Sequence, residues 1–189
     1  MATPGNGAGG AIGDLLARQE ITEQIYRYCR GLDRMDLELA LACWHPDGTA
    51  DFGALASAQT GLAARAVPIA EHFARAWDYR RAFFAHSHQT TNILIDVRGE
   101  LARSESASIA VLQRRLDDGS IAQDIYWGRW LDAWSRRGGR WAIDHRQAVL
   151  DCEDHCVHPA HDGSADGAAA ASPSRRDRDD PSYRLFAFG

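Results

Sequence analysis

HQTTNILIDVRGELARSESASIAVLQRRLDDGSIAQDIYWGRWLDAW, residues 88–134, decides the fold. Apolar and polar residues alternate along it, and β-branched and aromatic types are frequent, as in strands with one buried face. With Trp141–Asp151 it makes four β-rich segments: His88–Val97, Leu101–Leu116, Ile121–Trp134 and Trp141–Asp151. The breaks Arg98-Gly99, Asp117-Asp118-Gly119-Ser120 and Arg137-Gly138-Gly139 carry the chemistry of hairpin turns. The four segments are therefore expected to form a curled antiparallel meander.

Upstream the period changes to that of a helix. Ile12, Leu15, Leu16, Ile21, Ile25, Tyr28, Cys29 and Leu32 recur at three- and four-residue spacing. Gly31 weakens the end of this helix, and Asp33 lies at its rim. Asp36 has the character of an N-cap for a second helix through Trp44, which His45-Pro46-Asp47-Gly48 ends. A short strand over Thr49–Phe52 and a third helix over Val67–Tyr79 follow, the latter with Ile69, Phe73 and Trp77 on one stripe. Helices first and strands afterwards imply an α+β fold: three N-terminal helices packed on a curved antiparallel sheet, a cone around an apolar pocket. Residues 1–11 are expected to be a flexible leader, 12–161 the domain, and 162–189 a linker and tail in which Tyr183–Phe186 forms a small docking segment.

Composition excludes several functions. The net charge is -5, and all 21 basic residues are arginines scattered along the chain, so no basic stripe is available for nucleic acid. Without lysine there is no Schiff-base chemistry on a lysine amine. No apolar run is long enough to span a membrane, and the start of the chain lacks the pattern of a signal peptide. Four irregularly spaced cysteines fit reduced thiols and a cytoplasmic setting. Cys152, His155, Cys156, His158 and His161 do not have zinc-site spacing, so no metal and no cofactor are expected.

The residues that carry proton chemistry are His88, which opens the first long strand, and Asp33 at the end of the first helix. An imidazole titrates near neutral pH, and a carboxylate fixes its tautomer. The ordinary alternatives are a helix-end Asp that caps or solvates and a strand-end His at the surface. Tyr26 lies on the helical face of Asp33, seven residues away. Trp44, Phe52, Phe84 and Trp127 suit the wall of a pocket for a flat cyclic or aromatic small molecule, although each residue type more often fills a core. His86 reads as the frayed entrance of its strand.

Tyr28–Asp36, Trp44–Gly48, His88–Asn92 and Gly139–Arg146, in this order and spacing, resemble the SnoaL-like branch of the NTF2-like superfamily over residues 12–151. That resemblance implies a cofactor-independent lyase that eliminates water, halide or formaldehyde. It also implies an Asp33–His88 acid/base dyad with Asn92 completing the pattern, Tyr28 as a polar partner and Arg146 as a catalytic cation. Homodimers or homotrimers are the usual assemblies of such folds. The same superfamily holds cofactor-free isomerases and cyclases, and the non-catalytic small subunits of ring-hydroxylating dioxygenases.

Overall fold

The computed structural model describes residues 8–53, 61, 65–160 and 174–187. Its first helix, α1 (Ala8–Asp33), reaches back into the stretch expected to be a leader. Ile21, Ile25, Tyr28, Cys29 and Leu32 make its buried stripe, whereas Ile12, Leu15 and Leu16, counted with that stripe in the sequence, are exposed. α2 (Leu37–Ala42) follows a tight turn, with the Asp36 carboxylate accepting from the Leu39 N–H as an N-cap. Gly31 sits where the two helices touch. A Cβ there would lie 2.7 Å from the Ala40 backbone nitrogen, so only glycine fits this crossing.

β1 (Trp44–Asp51) comes next and starts earlier than expected, because the His45–Gly48 turn is absorbed as an irregularity within the strand. β2 (Val67–Pro68) pairs with it, and α3 (Ile69–Arg81) follows. Among the described residues the third helix thus comes after two strands, the first of which includes most of the stretch expected as strand. Most of the connection between Phe52 and Val67 lies outside the described residues.

β3 (Ala85–Arg98), β4 (Leu101–Arg115), β5 (Ile121–Arg137) and β6 (Arg140–His158) form the antiparallel meander. Gly138 and Gly139 both hold positive φ in the β5–β6 turn, which L-residues with side chains adopt poorly. The sheet as a whole is mixed, with order β2-β1-β6-β5-β4-β3, because β1 runs parallel to β6. This corrects the expected all-antiparallel sheet. Register shifts at Thr91/Leu94, Trp127/Gly128 and Ala133/Trp134 mark bulges that bend the long strands. β6 continues through Cys152–His158, paired with β5 as far as Ile121↔His158. That segment is therefore part of the sheet.

The helices cover one sheet face, and the core between them holds Tyr28, Trp44, Phe73, Trp77, Trp130, Trp134 and Trp141. Within it Arg146 and Asp132 form a fully buried ion pair with two hydrogen bonds, 2.7 and 2.8 Å. The chain then returns: residues 174–187 with the short helix α4 (Pro181–Leu185) lie against the ends of α1 and α3. Tyr183 donates to the Asp36 carboxylate at 2.8 Å, and the Arg30 guanidinium lies over the rings of Tyr183 and Phe186. The tail expected at 162–189 is thus a docked strap in its described part. No helix among the described residues is long and apolar enough to cross a membrane.

Candidate active site

A cavity of about 170 Å³ opens between α1, α3 and the concave side of β3–β6. Leu32, Ala76, Ala110, Leu112, Trp130 and Leu150 give it a mainly apolar wall. Polar groups reach it from five elements: Tyr28 on α1, His72, Tyr79 and Arg80 on α3, His86 and His88 on β3, Ser108 on β4, and Tyr126 and Arg129 on β5. An apolar hollow with a few polar groups in fixed places is the usual form of a small-molecule site.

Asp33 ends α1 and His88 lies in β3, and the fold brings them into contact. The His88 ring nitrogen Nδ1 is 2.7 Å from Asp33 Oδ1, and the His88 backbone N–H donates to both carboxylate oxygens at 3.1 and 3.0 Å. The carboxylate therefore holds the imidazole by its ring and by its main chain. With Nδ1–H directed at Asp33, Nε2 is the nitrogen left with a lone pair. Only 6% of the His88 side chain is exposed.

His86 is not a frayed entrance. It is buried, lines the cavity, and packs on His88 with ring centroids 4.5 Å apart. Arg80 Nη1 and Arg176 Nη2 approach its two ring nitrogens, each at 3.4 Å. Burial, then the His88 ring and the two guanidiniums, holds its pKa well below the usual imidazole range, so it is neutral at physiological pH. Asp33, His86 and His88 place ligand-type atoms within 4.8 Å of one another, a spacing a metal could bridge. Two guanidiniums against the His86 ring oppose a cation at that point.

Tyr28 lies on the cavity wall, its ring edge-on to Trp130 at 5.4 Å. Burial pushes its phenol above the ordinary value, against the pull of nearby Arg146, so it can donate a hydrogen bond at neutral pH. Arg146 itself does not reach the cavity. Its guanidinium sits behind the wall, over the rings of Trp130 and Tyr28 at 4.0 and 4.4 Å, and is neutralised by Asp132. The cation expected to be catalytic thus stands next to Tyr28 and outside the cavity lining.

The remaining candidates divide. Phe52 lines the cavity and packs on His72 with tilted rings, centroids 4.3 Å apart. Trp44 is buried in the core behind it, and Phe84 is 45% exposed. Trp127 is outside the lining because Tyr126, Gly128 and Trp130 take the inward positions of β5 at steps of two, which puts Trp127 on the other face. Asn92 is exposed at the β3 bulge with φ 49°, away from the cavity. Tyr26 is 53% exposed and borders a shallow surface hollow that touches Asp33, His88 and Thr90 from the opposite side.

His72, Tyr79 and Arg80 were missed in the sequence. His72 and Arg80 lie at four-residue steps from Ala76, one helical face, and that spacing was the available signal. Arg129 also lines the cavity, where Asp151 holds its guanidinium at the exposed rim.

The SnoaL-like domain model matches residues 13–147. No curated protein sequence matches the chain. Among solved structures, a candidate scytalone dehydratase from Novosphingobium aromaticivorans superposes with a TM-score of 0.63 at 18% identity, covering 78% of this chain and 92% of that one. A hexachlorocyclohexane dehydrochlorinase, LinA type 2, gives 0.65 at 12% identity, with 81% and 99% covered. A candidate beta subunit of an aromatic-ring-hydroxylating dioxygenase from N. aromaticivorans gives 0.57 at 20%, with 74% and 92% covered. At such identities the likeness is one of fold.

Proposed function

Since the chain belongs to the SnoaL-like family, we propose that it is a cofactor-independent lyase acting on a cyclic or aromatic small molecule. One observation carries this reading: His88 is held by Asp33 at 2.7 Å on the wall of an apolar cavity. In this mechanism neutral His88 takes a proton at Nε2 from carbon or from a substrate hydroxyl. Asp33 keeps Nδ1 protonated and stabilises the imidazolium that forms.

With a carbon acid, the C–H pair becomes a C=C bond while the bond to hydroxyl or halide breaks. With a hydroxymethyl group, the O–H pair becomes the carbonyl of departing formaldehyde, and the pair of the broken C–C bond forms a C=C bond as hydroxyl or another group leaves the next carbon. Tyr28 donates a hydrogen bond to the departing or developing oxygen anion, its ring fixed by Arg146 and Trp130. General acid/base help of this kind contributes about 10²–10⁴-fold.

A panel of aromatic dimers, hydroxysteroids and cyclic alcohols, incubated with the purified protein and read by mass spectrometry, tests the proposal. Loss of water, halide or formaldehyde is expected, and His88→Ala lowers the rate by at least about 10²-fold. Equal rates in both proteins would remove His88 as the base. An unchanged product mass would instead make the protein an isomerase. The dioxygenase beta-subunit fold supports a second, non-catalytic reading, which turnover by the isolated chain would exclude.

A further inference from the structure

We propose that the substrate carries an anionic oxygen group, a carboxylate or a phenolate, and that Arg80 binds it. The inference rests on the cavity being the substrate site and adds the class of molecule it selects.

Arg80 lines the cavity from the last turn of α3. Its Nε is buried with no hydrogen-bond partner, and among the described residues no carboxylate lies within 4.0 Å of its guanidinium. Among the described residues its one side-chain hydrogen-bond partner is neutral His86, which Nη1 approaches at 3.4 Å. The neighbouring Arg81 differs: it is exposed and pairs with Asp78 at 3.3 Å. Arg146 has a carboxylate of its own in Asp132. Asp33 acts on Arg80 from a distance, while its oxygens are taken up by His88.

A buried guanidinium in an apolar wall is costly unless an anion accompanies it. Here no carboxylate among the described residues touches it, and a second cation stands nearby. Arg176 on the strap donates to the carbonyl oxygens of Arg80, at 2.9 Å, and Phe83, and approaches His86 from the other side. The cavity end nearest His86 is thus positive, and the missing partner is supplied by what binds there. His72, on the same helical face two turns earlier, has a buried Nε2 without a partner and offers a neutral polar contact at the far end. Ala76 between them leaves room for a ring. The arrangement fits a flat molecule with an acidic oxygen at the Arg80 end and a neutral polar group at the His72 end.

Calorimetry with benzoate, benzamide, and 4-nitrophenol below and above its own pKa tests this on the full chain. At least one anion is expected to bind about 10- to 100-fold more tightly than benzamide, the worth of one charge-assisted hydrogen bond. Arg80→Gln removes that preference while leaving benzamide binding nearly unchanged. His88→Ala retains it. Neither anion binding more tightly than benzamide would overturn the proposal, as would an anion preference that survives in Arg80→Gln. If that variant fails to fold, the comparison on the unaltered protein decides alone. Anion preference without turnover would sink the lyase reading and leave Arg80 as an anion site.

Discussion

Arg146 carries its charge into the most aromatic part of the molecule, over Tyr28, Trp44 and Trp130, and Asp132 is what makes that tolerable. Burial alone would lower its pKa, but the Asp132 carboxylate outweighs it and keeps the guanidinium charged. Removing one partner strands the other in a medium that solvates it poorly. Asp132→Asn is therefore expected to cost about 3–5 kcal/mol in urea unfolding, whereas Arg146→Met with Asp132→Leu together lose much less. A single substitution costing under about 1 kcal/mol would contradict this view of the pair. At this scale the sequence spoke clearly where spacing was local: Asp36 as an N-cap and Asp33 at the helix rim lie where expected. It said little about direction. Arg80 and Arg81 are alike as letters, and only the fold turns one into a cavity and the other to water.

Between elements, the contact that leaves least freedom is the crossing of α1 and α2. Gly31→Ala would push a methyl within 2.9 Å of the Ala40 Cα as well as its nitrogen, backbone atoms that cannot swing aside. A loss of about 1–3 kcal/mol is expected, with Asp33 displaced along with the helix end. Thermal melting and the His88-dependent rate read both effects, and an unchanged melting temperature would show that the helices can separate cheaply. The meander was legible because each of its turns carries its own residues, such as Gly138-Gly139. The parallel pairing of β1 with β6 was not, since β2, α3 and three long strands lie between them and leave no turn to read. Facing along β5 was legible as well: Tyr126, Gly128 and Trp130 line the cavity at steps of two, and the same alternation turns Trp127 away from it.

Over the whole molecule, buried imidazoles set the response to acid. Burial, with Arg80 nearby, lowers the His72 pKa from 6.5 to about 4, and His86 is lowered as well. Unfolded, both take up protons near 6.5; folded, they refuse them, so stability is present above that pH and is lost as pH falls towards about 4. His72 alone accounts for about 3 kcal/mol at full effect. Asp36 and Asp180, both lowered, act in the same sense at still lower pH. Unfolding free energies across this range are expected to fall steeply, and His72→Gln to flatten the profile; an unaltered slope would mean that His72 is hydrated. β3 ends the sheet order, so its outward N–H groups face no neighbouring strand among the described residues. At His88 that donor is capped by Asp33. The carboxylate that orients the imidazole thus also guards an open edge, and a chain lacking it would offer that edge to another chain's strand, trading a lost acid/base pair for a tendency to aggregate.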